Sequence, residues 1–264
     1  MENLKLIIKS LKYVKSLVPF ILNFPKYYKI KKLFGTMVKK TANCDISLPA
    51  IYITCINETI PHNCQIRSVK KTYKMPGGVR ADLPWVRPDD SEAASILRVV
   101  FSDFIDNIKI VPDETIDKSI LSENIICIGG QTNWIFLEFV INQKCLYPIE
   151  YKINKTKKVD GYYNSESKVQ FESNDIAYSY GILAVINNMQ SSINKIVFIS
   201  GLDATTTVET ARILEKNYAK LYEDVKAKNL LKSEFYSICR FKKTKNKLCP
   251  LTFDKFFVGK INKK

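Results

Sequence analysis

Histidine is nearly absent from this chain: among 264 residues only His62 is one, which removes the commonest means of acid–base and nucleophilic catalysis at neutral pH. It falls in a proline-punctuated loop, and no Ser-His or Cys-His pair can be built around it. Cys64 follows two residues later, but further ligands of the right type and spacing are missing, so no metal is expected there. The seven cysteines form an odd set without a CxxC spacing and read as free thiols in a reducing, cytoplasmic compartment. Long apolar runs are lacking too. The longest uncharged stretch near the N-terminus, Ser16 to Pro25, has ten residues and contains Pro19, whereas a membrane span needs about twenty. Lysines through the first fifteen residues also break up any secretory signal.

Acids are outnumbered, 26 against 41 basic residues, for a formal charge of +15. Residues 1–40 hold ten of the lysines and one acid, Glu2, so this arm carries +9 and the rest of the chain +6. In residues 3–18, Leu4, Ile7, Ile8, Leu11, Val14 and Val18 recur at helical spacing with Lys5, Lys9 and Lys12 opposite, which predicts a basic amphipathic helix ending at Pro19. A second basic stretch, KYYKIKKLFG, stops at Gly35. Three partners fit residues 3–34. The apolar face can pack on the protein's own body or on a partner protein. It can lie on an anionic membrane surface, where each lysine contributes about 1 kcal/mol. The lysines with Tyr27 and Tyr28 can contact nucleic acid, although no binding module accompanies them.

The body is expected at residues 48–245, followed by a basic tail at 246–264. LPAIYITCIN has strand composition, and a loop then runs to residue 88. In PDDSEAASILRVVFSDFI, Asp89 and Glu92 make a capping box ahead of a face of Ile96, Leu97, Val100, Phe101, Phe104 and Ile105. NIKIVPD reads as a strand and TIDKSIL as a short helix. NIICIGG and NKIVFISG are strands without polar alternation, as expected where both faces are covered. Each leads into a helix, QTNWIFLEFVIN and DATTTVETARILEKNYAKLYEDVKAK. YPIEYKI, KVQFES and AYSYGILAVIN suggest an antiparallel insertion at about 147–178 with a turn at Asp160-Gly161. FYSICRFKK closes the body. The sum is an α/β protein, a three-layer Rossmann-like sandwich with a mainly parallel sheet, an antiparallel insertion or edge, and a basic N-terminal helix.

Two strands thus end in glycine before a helix, at Gly129-Gly130 and at Gly201. If they are parallel neighbours, both turns share the sheet edge where α/β proteins bind ligands. Helix starts there offer free N–H groups to an anion. Gly129, Gly130, Thr132, Asn133, Gly201, Asp203, Thr205, Thr206 and Thr207 then form a seat for a small anionic or nucleotide-like ligand. Glycine turns and Thr or Asn caps are equally ordinary chain geometry. GGQTNW lacks the third glycine of the dinucleotide fingerprint, and no GK[ST] follows, so no cofactor is named.

The run from Asn124 to Asn133 resembles a turn, roughly N-hydrophobic-IGGP-x-x-N, of a little-characterised group of prokaryotic proteins, and a similar turn in archaeal surface-layer proteins. Asp89-Asp90 with Ala93, Tyr180-Gly181, and Gly201 through Thr207 to Ala211 match its other motifs over about residues 85–215, with Gln131 where the group has proline. The resemblance implies a Rossmann-like fold and no particular reaction. Among acids near the expected crevice, Asp203 could contact a ribose hydroxyl or act as a base. Glu209 lies one helical turn from Arg212, the spacing of an ion pair. Asp89 and Asp90 read as helix-start residues.

Overall fold

A computed structural model describes residues 25–49, 86–113, 116, 123–130, 133–154, 159–188, 191–246 and 250–262, and, by backbone, 52–55, 64–68 and 71–75. Its centre is a seven-stranded sheet. The strands are β1 (Asn43–Leu48), β5 (Asn107–Pro112), β6 (Asn124–Ile128), β10 (Tyr178–Asn188), β11 (Ser191–Gly201), β12 (Phe235–Lys243) and β13 (Leu251–Lys260), in the order β13-β12-β10-β11-β6-β1-β5. Pairings among β5, β1, β6 and β11 are parallel, and those of β10 with β11, β12 with β10 and β13 with β12 are antiparallel. Five of the seven strands therefore point one way. Two further antiparallel sheets stand apart: β2 (Tyr52–Cys55), β3 (Cys64–Ser68) and β4 (Lys71–Met75), and β7 (Ile149–Asn154), β8 (Val159–Asn164) and β9 (Gln170–Glu172). The protein is α/β.

Both faces of the central sheet are covered. One carries helix α1 (25–34), helix α2 (Pro88–Ser102) and the long helix α4 (Ala204–Arg212), which passes through one wide π segment (Ile213–Asn217) into α5 (Tyr218–Ala227). The other carries the short helix α3 (Trp134–Phe136, continued by a π segment to Asn142) and the β7–β9 sheet. β6 is buried along its whole length because Ile125 and Cys127 face one layer and Ile126 and Ile128 the other, which is why its sequence shows no polar alternation. On α2, Ala93, Ala94, Leu97, Val100 and Phe101 meet the sheet at 3.6-residue spacing. The thiols of Cys44 on β1, Cys127 on β6 and Cys239 on β12 are free and buried, and burial pushes their pKa values up, that of Cys239 to about 12.

Several boundaries move. Ile30, Leu33, Phe34, Met37 and Val38 belong to the core, so residues 25–38 are body rather than arm, and the body does not start near 48. β1 ends at Leu48, which opens LPAIYITCIN; that stretch supplies β2, outside the central sheet, and β3 and β4 occupy part of the expected loop. Of the expected basic tail, 246–264, residues 251–260 form β13 along β12 and Ile261 is buried. Asp160 and Gly161 lie within β8, paired with Ile153 and Lys152, not in a turn. The helix expected at 3–18, His62 and nearly all of TIDKSIL lie outside the described residues. Among the described residues no helix is long and apolar enough to cross a membrane.

Candidate functional site

The parallel strands reverse their order of addition between β1 and β6. From β1 the chain passes through α2 to β5 on one side, and β6 and then β11 build outward on the other. Helix α2 covers one face and α3 the opposite face. In open α/β sheets such reversals, at the carboxyl ends of the two strands, are where ligands bind. β6 and β11 are indeed parallel neighbours, Ile128 beside Ile199, but the reversal lies one strand further along than the two glycine turns alone would suggest.

Asn133 lies between the ends of β1 and β6. Its amide is fully buried and donates to the Ser47 carbonyl (3.4 Å), to Ser47 Oγ (3.1 Å) and to the Ile128 carbonyl (3.1 Å), so one side chain ties the end of β1 to the end of β6. Its Oδ1 accepts the Ile135 N–H at 3.0 Å and caps α3. The Trp134 N–H donates to Asp113 Oδ2 at 2.9 Å. Gly129 has φ of +82°, a conformation glycine adopts freely. A Cβ on Gly129 would come 3.2 Å from Pro49 and 3.6 Å from Asp90 Oδ1, and one on Gly130 would come 3.1 Å from Ser200 Oγ.

Asp90 sits in the first turn of α2 over this glycine, 5% exposed. It is not a cap. The helix is entered through Arg87 in extended conformation with Pro88 next, and neither Asp89 nor any other side chain caps it; proline's fixed φ makes a cap dispensable. Burial raises the Asp90 pKa to about 6, opposed by the charge of Arg87 and assisted by that of Asp89. Among the described residues its carboxyl has no hydrogen-bond partner.

The second glycine turn is differently employed. Asp203 Oδ1 accepts from the Thr206 N–H and Oγ1–H, each at 2.7 Å, and its Oδ2 accepts from Ser179 Oγ at 2.9 Å. Thr207 Oγ1 accepts the Gly201 N–H at 2.9 Å and donates to the Asp203 carbonyl at 3.1 Å. Thr206 and Thr207 are buried and Thr205 is exposed. Glu209 and Glu92 both pair with Arg212, which pins α2 to α4. Asp203, Thr206 and Thr207 are thereby the cap of α4, and Asp203→Ala is expected to lower the unfolding free energy by about 1–2 kcal/mol in urea titrations. A change within error would show that the Ser179 and Thr206 hydroxyls hold the helix start without it.

Compared with protein-family models and with curated proteins, the chain matches none. Of the residues expected to bind, Gly129, Gly130 and Asn133 lie just beyond the carboxyl end of β6, while Gly201, Asp203, Thr206 and Thr207 surround the neighbouring helix start. Thr132 lies outside the described residues. Ser47 escaped the sequence reading because NCDISL resembles no buried strand, whereas Asp90 stands among the acids of the expected crevice but reads there as a helix-start residue. The only available signal for Asp90 was Pro88 before it, which already occupies the position that makes a cap unnecessary. Among the described residues no group of His, Cys, Asp and Glu is arranged to hold a metal.

Proposed function

We propose that the chain is a three-layer Rossmann-like sandwich that binds a small nucleoside-like ligand in the crevice between β1 and β6, with Asp90 accepting hydrogen bonds from the ligand's hydroxyl groups. The observation that carries this reading is Asp90, a buried carboxyl beside a glycine turn at the strand-order reversal, without a donor among the described residues. Its oxygens are not sealed from solvent, so a ligand hydroxyl could reach them, and a donor arriving there would offset the desolvation that raises the Asp90 pKa. The resemblance of residues 124–133 to the IGGP-x-x-N turn supports the same location.

The chemistry of the site favours hydroxyls over an anion. At the starts of α3 and α4 the N–H groups that would hold a phosphate already donate to Asn133, Asp113 and Asp203. Adenosine, guanosine, free pentoses and the corresponding monophosphates, screened by thermal shift, test the proposal. A nucleoside should raise the Tm of the natural protein at least as much as its monophosphate.

Asp90→Asn separates binding from folding. Because the folded pKa is about 6 against an ordinary 3.8, the native state binds the proton more tightly. Its stabilisation is present below about pH 4 and is lost as pH rises through 6. The natural protein should therefore lose about 2 kcal/mol relative to Asp90→Asn between pH 4 and pH 7. The variant is expected to be more stable at neutral pH and yet show no nucleoside shift. An equal ligand shift in both proteins would remove Asp90 from the site.

A further inference from the structure

At the opposite, amino edge of the sheet lies a cavity of about 1120 Å³, of the size of a nucleotide site or somewhat larger. Asn43 and Asn124, the first residues of β1 and β6, line it, which places it at the far ends of the strands that form the β1–β6 crevice. Its cations come from segments distant in sequence: Lys31 and Lys32 on α1, Lys39 beyond the Gly35 turn, and Lys232 after α5. One acid, Glu123, lines it as well.

The pairing of these lysines is the informative feature. On the same basic stretch Lys26, Lys29 and Lys40 reach Asp103, Glu223 and Asp106 at 3.7, 3.1 and 3.0 Å. Among the described residues, none of Lys31, Lys32, Lys39 and Lys232 forms such a pair. Lys31 and Lys32 lie over the rings of Tyr27 and Tyr28, 5.4 and 5.5 Å from the centroids. A helix C-terminus attracts cations, which accounts for Lys31 and Lys32 in the last turn of α1. It does not account for Lys39 or Lys232, which approach from elsewhere. Gly35, with φ of +61°, turns the chain back so that Lys39 joins the group.

We propose that this cavity binds a phosphate-bearing molecule of nucleotide size, with the phosphate held among Lys31, Lys32, Lys39 and Lys232 and the tyrosines forming its apolar wall. Cations without acidic partners that line one concave surface focus the field that a phosphate seeks, and Lys31 and Lys32 rest on tyrosines that form part of the same wall. The proposal uses neither Asp90 nor the carboxyl edge. A soluble nucleotide and an anionic phospholipid headgroup share this chemistry.

The full chain is titrated with trinitrophenyl-ATP, with inorganic pyrophosphate as competitor, and is co-sedimented with phosphatidylglycerol and phosphatidylcholine vesicles. Lys31→Glu/Lys232→Glu is compared with the control Lys168→Glu in the β8–β9 turn. All three substituted lysines are exposed, so only a small fall in Tm is expected, from the anion placed in the last turn of α1, and a single cooperative transition verifies folding. The double variant should bind the nucleotide probe roughly tenfold or more weakly, pyrophosphate should compete, and the control should match the natural protein. Phosphatidylglycerol binding that depends on the same two lysines, without nucleotide binding, assigns the phosphate to a headgroup. No binding of either probe, or binding that the double variant retains, overturns the proposal.

Discussion

Gly201→Ala is expected to destabilise the protein by about 3 kcal/mol, a large part of the 5–15 kcal/mol typical of a folded chain. Gly201 ends β11 directly opposite Gly181 of β10, and the first turns of α4 lie on this pair. A Cβ on Gly201 would press on the Thr207 backbone nitrogen and sit 2.5 Å from the Thr206 carbonyl carbon. Backbone cannot step aside, so the helix start would have to lift, and with it the contacts of Thr206, Thr207 and Ser179. At Gly181 the added carbon would meet Thr210 Oγ1, with the Ser200 carbonyl 3.1 Å away. That obstacle is a side chain. Adding Thr210→Ala to Gly181→Ala should therefore recover part of the loss, whereas the same addition should not help Gly201→Ala, a difference that a double-mutant cycle in urea measures. Full stability of Gly201→Ala would mean that the glycine serves something other than close packing and would return it to the ligand seat.

Asn133→Asp should be comparably damaging, about 4 kcal/mol at pH 7. The amide nitrogen faces the Ser47 and Ile128 carbonyls and Ser47 Oγ, and the substitution places an acceptor, charged and buried, before two acceptors that cannot change sign. The Ser47 hydroxyl can rotate to donate, which relieves one contact and leaves the carbonyls. Asn133→Ala avoids the charge but leaves Ile128 O and the Ile135 N–H without this partner, at about 2–3 kcal/mol. Denaturation at pH 7 distinguishes this latch from a ligand contact. A variant as stable as the natural protein, yet unable to bind, would make Asn133 part of the binding surface.

Legibility in the sequence followed burial symmetry. β6 and β11 could be read because both their faces are apolar, and α2 and the α4–α5 helix because one stripe repeats at helical spacing. β1 could not. It lies between β5 and β6, yet Asp45 and Ser47 interrupt its apolar run, and Ser47 is polar because it receives the Asn133 amide. β13 was hidden for the opposite reason: as an edge strand it carries Asp254, Lys255 and Lys260 among its phenylalanines, and charge on an edge is what discourages pairing with other chains. The glycine turns were visible, but glycine for a tight turn, for a helix resting on a strand end, and for a ligand look alike in sequence. Only the packing around Gly129 and Gly201 separates them. Asp90 became notable when its surroundings placed no donor beside it.

The three thiols on β1, β6 and β12 have a practical consequence. Sulfur that meets no solvent and hardly ionises near neutral pH escapes alkylating reagents until its strand opens. In a chain whose Cys55, Cys64, Cys145 and Cys249 are serine, the labelling rates of Cys44, Cys127 and Cys239 become three clocks, placed at intervals across the sheet, that report whether its parallel and antiparallel halves breathe together or apart.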